Sequence, residues 1–182
     1  MKKTVWVIDD DDSIRWVLDK ALGQAGIPIK AFNSADEAMH LFPNELPLTV
    51  LSDIRMPGSS GLDFLQKIQA EFPQIPVIIM TAHSDLDSAV NSFELGAYEY
   101  LAKPFDIDEV VNVVQRAISS RSESDPEVSN QITPSSEILG SAPAMQEVFK
   151  AIGRLSSSSF TVLINGESGS GKELVARALH TH

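Results

Sequence analysis

The chain of 182 residues contains no cysteine, which excludes disulfide frameworks, thiolate nucleophiles and cysteine-ligated zinc together. It also has no run near the roughly 18–20 apolar residues needed to cross a bilayer. Met1-Lys2-Lys3 leads into a short strand-like run that ends in acids, not into a signal-peptide core, so a cytoplasmic protein is expected. Basic residues are scarce: 14 Lys and Arg face 25 Asp and Glu, for a formal net charge of −11. Non-specific nucleic-acid binding rests on Lys and Arg displacing counterions, so these residues are not expected to grip DNA. Surplus acid suits divalent cations, although a solvated surface is its commoner cause.

What is present is alternation. Short apolar runs at Thr4–Asp9, Pro28–Phe32, Leu48–Asp53, Val77–Thr81 and Tyr98–Ala102 alternate with helical periodicity near Ser13–Ala25, Asp36–Phe42, Leu62–Phe72, Asp85–Leu95 and Ile107–Ser119. That order is the signature of βαβ units around a parallel sheet. The first, third and fourth runs are nearly all apolar, as central strands are, and the other two read as edges. Ser34 with Glu37, Ser84 with Asp87, and Asp106 with Glu109 each set a capping oxygen three residues before a carboxylate, which supports the helix starts.

From Ser119 to Glu137 the apolar pattern gives way to Ser, Glu, Asp, Asn, Gln and Pro, too polar to offset chain entropy by burial. Three units follow: residues 1–120, a flexible linker at 121–137, and a second piece at 138–182. In that piece a helix is predicted over Ala144–Leu155, a strand over Phe160–Asn165, then a glycine-rich loop and a helix from Lys172.

Ligands of open α/β sheets bind at the carboxyl ends of the strands. The first strand ends in Asp9, Asp10 and Asp11 and the third in Asp53, which brings carboxylates together. Two unit charges about 4 Å apart interact by roughly 4 kcal/mol at an effective dielectric near 20, so the cluster should bind a cation or hold a proton. Oxygen ligands with room for water suit Mg²⁺. Thr81 and Lys103 end the fourth and fifth strands and add a hydroxyl and an ammonium. A carboxylate nucleophile, a metal, a hydroxyl and a cation are the parts of a phosphoryl-transfer site. Singly, each residue has a plainer reading: a helix cap for the aspartates, a strand end for Thr81, a solvated charge for Lys103.

Asp9-Asp10, Asp53-Ile54-Arg55-Met56-Pro57-Gly58, Thr81-Ala82 and Lys103-Pro104-Phe105 together resemble the response-regulator receiver family over about residues 4–120. The resemblance implies a five-stranded parallel, doubly wound, flavodoxin-like fold with strand order 2-1-3-4-5. It also implies Asp53 as phosphoacceptor, Asp10 as a direct Mg²⁺ ligand, Asp9 as a ligand through water, and the Arg55 carbonyl completing the protein's share. Asp11, one place beyond the usual pair, is left between the metal's surroundings and a helix cap. Thr81 would turn toward the phosphoryl group and Tyr100 would move with it. The helix between them carries Leu86, Val90, Phe93 and Leu95, more apolar residues than one buried stripe needs. They are either a partner surface exposed on phosphorylation or simply core.

Gly166-Glu-Ser-Gly-Ser-Gly-Lys172 fits G-x-x-x-x-G-K between a strand-like Thr161–Ile164 and a helical Glu173–Leu179, the context a phosphate-binding loop requires. Its amides and the helix N-terminus would face ATP phosphates, with Gly166, Glu167, Ser168, Gly169, Ser170, Gly171 and Lys172 around them. Glu173 stands where Ser or Thr usually holds Mg²⁺. With Ile138–Met145 and Ile152–Ser156, this variant resembles the AAA+ enhancer-binding activators that remodel RNA polymerase carrying an RpoN-type sigma factor. The combination implies a nitrogen-regulatory two-component activator, phosphorylated by a sensor histidine kinase, dimeric and then of higher order, binding enhancer DNA through parts beyond these residues. No second acidic motif or arginine finger is found before His182, so a truncated ATPase domain without turnover of its own is expected. The competing reading is a stand-alone phosphatase or P-loop NTPase. A haloacid-dehalogenase-type phosphatase wants an acid two residues after its nucleophile, and Arg55 stands there. A flavodoxin-like binding module would set an anionic flavin against the acidic cluster.

Overall fold

The computed structural model describes residues 4–42, 44–82, 86–120, 143–156, 158 and 160–181. Five strands, β1 (Val5–Ile8), β2 (Ile29–Phe32), β3 (Val50–Asp53), β4 (Val77–Thr81) and β5 (Glu99–Ala102), form one parallel sheet in the order 2-1-3-4-5. Between and after them run α1 (Asp12–Gln24), α2 (Ala35–Leu41), α3 (Gly61–Glu71), α4 (Leu86–Glu94) and α5 (Ile107–Ser120). The expected architecture and the edge positions of β2 and β5 are therefore found, with boundaries shifted by a residue or two.

Strand side chains alternate between faces, and both faces are covered. Trp6, Ile8, Val50, Val77 and Ile79 join Phe32, Phe42, Phe64 and Ile68 on one side. Val5, Val7, Leu51, Ile78 and Met80 meet Leu18 and Leu22 of α1 and Val110, Val113 and Val114 of α5 on the other. Trp6 packs edge-on against Phe42 at 4.7 Å and tilted against Phe32 at 4.9 Å, distances at which aromatic pairs gain beyond their burial. Each fully buried aliphatic side chain here contributes about 1.5–3 kcal/mol relative to exposure, which is what holds the strand ends in place.

The helix starts are local chemistry. Ser34 accepts from the Glu37 amide, and the Asn33 amide donates to the Glu37 carboxylate. Asp106 accepts from the Asp108 and Glu109 amides. Ser60 and Asp63 form a reciprocal capping box on α3 that the sequence reading passed over. Ser84, and with it the Ser84–Asp87 pair, and the 121–137 linker lie outside the described residues.

Beyond α5, helices α6 (Pro143–Ser156) and α7 (Lys172–Thr181) are present, and α6 lies along α4. The strand expected at Phe160–Asn165 is not found: the segment has no ladder partner, and Phe160 and Leu163 are exposed. A strand exists only where a neighbour takes its backbone hydrogen bonds, and no described residue offers that edge.

Candidate functional site

Strand register assembles the site. Ile8 pairs with Ser52, Asp53 with Met80, and Thr81 with Ala102, so Asp9, Asp53, Thr81 and Lys103 emerge within two residues of one row at the carboxyl edge of the sheet. Asp9 is fully buried, Asp53 and Thr81 nearly so, and Asp10 is exposed.

Lys103 is the hub. Its Nζ donates to Asp9 Oδ2 and lies against Asp53 Oδ1, at 2.7 Å in each case. The remaining carboxylate oxygens are fixed by backbone amides: Asp53 Oδ2 accepts from Arg55 N–H at 2.9 Å, and Asp9 Oδ1 from Asp11 N–H at 3.0 Å. The Lys103 amide donates to the Thr81 carbonyl at 2.6 Å, and the Lys103-Pro104 peptide is cis. Charge-assisted bonds of this kind hold geometry better than neutral ones.

Burial and charge oppose each other here. Desolvation lifts the Asp9 carboxyl above its ordinary value of 3.8, against the pull of Lys103 and the Asp11 amide. Burial also pulls Lys103 down, but the bonds from Asp53 and Asp9 outweigh it and hold the ammonium above 10.5. The ammonium is therefore held charged between the two acids. Asp11 belongs elsewhere: it is the N-cap of α1, accepting from the Ser13 amide, which holds its carboxyl below 3.8. Of the two roles left open for it, the cap is the one seen.

Three supports were not foreseen. Arg15 donates to the Asp9 carbonyl and pairs with Asp12, bracing the β1 end. Gly61 sits so close beneath Asp53 that a Cβ there would lie 2.0 Å from the Asp53 carbonyl oxygen. Asp36 of α2 accepts from the Ser59 hydroxyl at 2.7 Å and ties down the loop after Asp53. Only the fold shows what Gly61 clears. Tyr100 is fully buried on β5.

Carboxylate oxygens and the Arg55 carbonyl are hard donors, and three acids against one ammonium leave net negative charge, so the donor set suits Mg²⁺ at Asp9, Asp10, Asp53 and Arg55. Among the described residues no three acidic or imidazole groups already converge as a preformed cage.

The second piece carries the glycine-rich loop. Gly169 and Gly171 adopt φ of +80° and +86°, open to glycine at no steric cost, and α7 begins at Lys172. Lys172 Nζ folds back onto the Gly166 carbonyl at 2.7 Å and the Glu167 carbonyl, and Glu173 pairs with Arg177 at 3.2 Å.

A doubly wound parallel sheet that gathers polar residues at the carboxyl ends of its strands is the class of α/β fold whose ligands bind at that edge. Comparison with known proteins gives the family. The response regulator receiver domain model matches residues 5–115, and the sigma-54 interaction domain model matches residues 138–182. The DNA-binding transcriptional regulator NtrC of Escherichia coli (strain K12) is 56% identical over 179 residues, covering 98% of this chain and 38% of that protein. The apo receiver domain of nitrogen regulatory protein C, solved in solution, is 53% identical with a TM-score of 0.61, covering 66% of this chain and 98% of that one. Its BeF3-activated form is 52% identical with a TM-score of 0.59, covering 68% and 100%. The chain belongs to the response regulator receiver family, and its last 45 residues are similar to a sigma-54 interaction domain. It spans 38% of the length of that E. coli relative.

Proposed function

We propose that Asp53 is the phosphoacceptor of a two-component response regulator for nitrogen control. The observation that carries this is Lys103 Nζ lying 2.7 Å from both Asp53 and Asp9. A nearly buried carboxylate at a strand end, with an ammonium already beside it, is poised to attack phosphorus while incoming negative charge is met by a fixed cation. An Asp53 carboxylate oxygen forms the new P–O bond as the bond from phosphorus to the donor's leaving group breaks. The donor is a phosphohistidine of a sensor kinase or a small acyl phosphate. Asp9, Asp10, Asp53 and the Arg55 carbonyl would hold Mg²⁺, which when bound would supply further positive charge against the transferred oxygens. Thr81 would bond the phosphoryl group on Asp53, and Tyr100, one strand over, is the residue proposed to respond.

On this reading residues 1–120 are the receiver, 121–137 a linker, and 138–182 the start of an ATPase domain whose Gly166–Glu173 loop contacts ATP phosphates. The complete protein would work in the cytoplasm as a dimer and higher oligomer, activating RNA polymerase with RpoN-type sigma factor from enhancer DNA. The relative's name, a DNA-binding transcriptional regulator, supports that assignment.

The test is incubation with a small acyl phosphate and Mg²⁺, followed by intact-mass analysis. One acid-stable, base-labile phosphoryl group is expected on the wild type and none on Asp53→Asn. An undiminished gain in the variant, or no gain in the wild type, would overturn the assignment.

A further inference from the structure

The chain has six asparagines, and only Asn165 is followed by glycine. An asparagine side-chain amide is open to attack by the backbone nitrogen of the next residue, a reaction that closes a five-membered imide. Three conditions govern it. The next residue must leave its nitrogen accessible, that nitrogen must not be held in a hydrogen bond, and the backbone must be free to bring it onto the side chain. A helix or a ladder withholds the last two, and a side chain on the next residue hinders the first.

The other asparagines among the described residues fail at least one condition. Asn91 and Asn112 lie within α4 and α5, where backbone amides are engaged in the helical pattern. Asn44 precedes Glu45, whose amide donates to the Leu41 carbonyl at 3.0 Å. Asn33 precedes Ser34, the N-cap of α2, and its own amide donates to the Glu37 carboxylate. Asn165 meets all three. It is exposed, it lies in a stretch where neither helix nor ladder forms, and its neighbour has no side chain. Among the described residues nothing accepts from the Gly166 amide and nothing bonds the Asn165 side chain. The loop itself favours that glycine, because a Cβ on Gly166 would lie 2.8 Å from Ser170 Oγ.

We propose that Asn165 is a site of spontaneous deamidation, a covalent modification at the entrance of the glycine-rich loop that takes only water as co-reactant. Hydroxide removes the Gly166 N–H proton, the nitrogen forms a bond to Asn165 Cγ, and the Cγ–Nδ2 bond breaks as ammonia leaves with a proton from water. Water then opens the imide at one of its two carbonyls. Breaking the new bond leaves aspartate; breaking the original peptide bond leaves isoaspartate, whose main chain runs through Cβ and Cγ. The sum is asparagine and water giving ammonia and a carboxyl group, with no change of oxidation state. Either product sets a carboxylate beside the segment whose Gly166 and Glu167 carbonyls hold Lys172 Nζ. Opposition of that charge to ATP phosphates is the one consequence that rests on the ATP-loop reading above.

The experiment is peptide mapping of the whole chain after incubation in mildly alkaline buffer, read by mass and by methylation with an isoaspartyl methyltransferase. It uses no nucleotide, so its outcome is separate from that of the ATP-loop reading. The peptide holding Asn165 should become about 1 Da heavier and resolve into two forms, one of them methylated, at least about tenfold faster than the peptides of Asn33 and Asn91 change. Asn165→Gln keeps the amide and the glycine but would need a six-membered ring, and should leave that peptide unchanged over the same time. Gly166→Ala should slow conversion by about tenfold. Conversion no faster than at Asn33, conversion undiminished in Gly166→Ala, or a rate that rises by about tenfold or more in urea would overturn the proposal, the last because the fold would then be shielding Asn165.

Discussion

Replacing Lys103 with Met removes the one cation bonded to both Asp9 and Asp53 while keeping much of the side-chain volume. Asp9 and Asp53 side chains are 1% and 8% exposed and Lys103 is 16% exposed, so solvent screening discounts the effect little. Breaking a buried ion pair from one side costs roughly 3–5 kcal/mol. A ceiling applies, because the site can take up a proton instead. At about 1.36 kcal/mol per pH unit, protonating one carboxyl at pH 7 from an ordinary value of 3.8 costs about 4 kcal/mol, and less for Asp9, whose value is already raised. A loss of about 2–4 kcal/mol at pH 7 is therefore expected, a fall in urea midpoint of roughly 1–2 M at common slopes.

The pH dependence follows from the signs. Lys103 sits above 10.5 in the folded chain, so its contribution is fully present below 10.5 and disappears as pH rises through the folded value. Asp9 sits above 3.8, so folding favours its protonated form, and the penalty of an unpaired carboxylate vanishes as pH falls toward 3.8. Wild type and Lys103→Met should differ most between about pH 5 and 10 and converge at either end, read from urea midpoints across pH. Adding Asp9→Asn should recover more than half of the loss at pH 7. A deficit as large near pH 4 as at pH 7, with no recovery from Asp9→Asn, would refute the view that unpaired charge is the cause.

Two smaller predictions concern the supports of the site. Gly61→Ala puts a methyl group 2.0 Å from the Asp53 carbonyl oxygen, and despite a better helix former at that position it should cost about 1–3 kcal/mol in urea unfolding and slow phosphorylation at Asp53. Ser60→Ala removes the reciprocal cap of α3 and should cost about 0.5–2 kcal/mol, leaving the rate of phosphorylation unchanged if α3 only supports the sheet.

Much of this protein could be read along the chain because its signals are local. A period of two against 3.6 separates strands from helices, and Ser34, Asp106 and the aspartates before α1 mark helix starts by bonds that span only two or three residues. The site residues could be listed for a related reason. In a parallel sheet every strand ends at the same edge, so polar residues closing apolar runs are neighbours in space whatever their separation in sequence. Phe160–Leu163 shows the limit: an apolar, β-branched pattern proposes a strand, but a ladder needs a second edge, which no local feature supplies.

The sequence by itself determined the alternation of elements, the acids and lysine at the strand ends, and the glycine-rich loop before α7, because each is set by neighbouring residues. Only the tertiary structure decided how those groups divide their work. Lys103 shared between Asp9 and Asp53 depends on a contact across 94 residues, and the assignment of Asp11 to a cap depends on where α1 begins. The seating of α6 on α4, with Gly153 against Phe93 and Arg154 at Glu99, depends on two helix faces meeting, and on a desolvated acid meeting its cation across 55 residues.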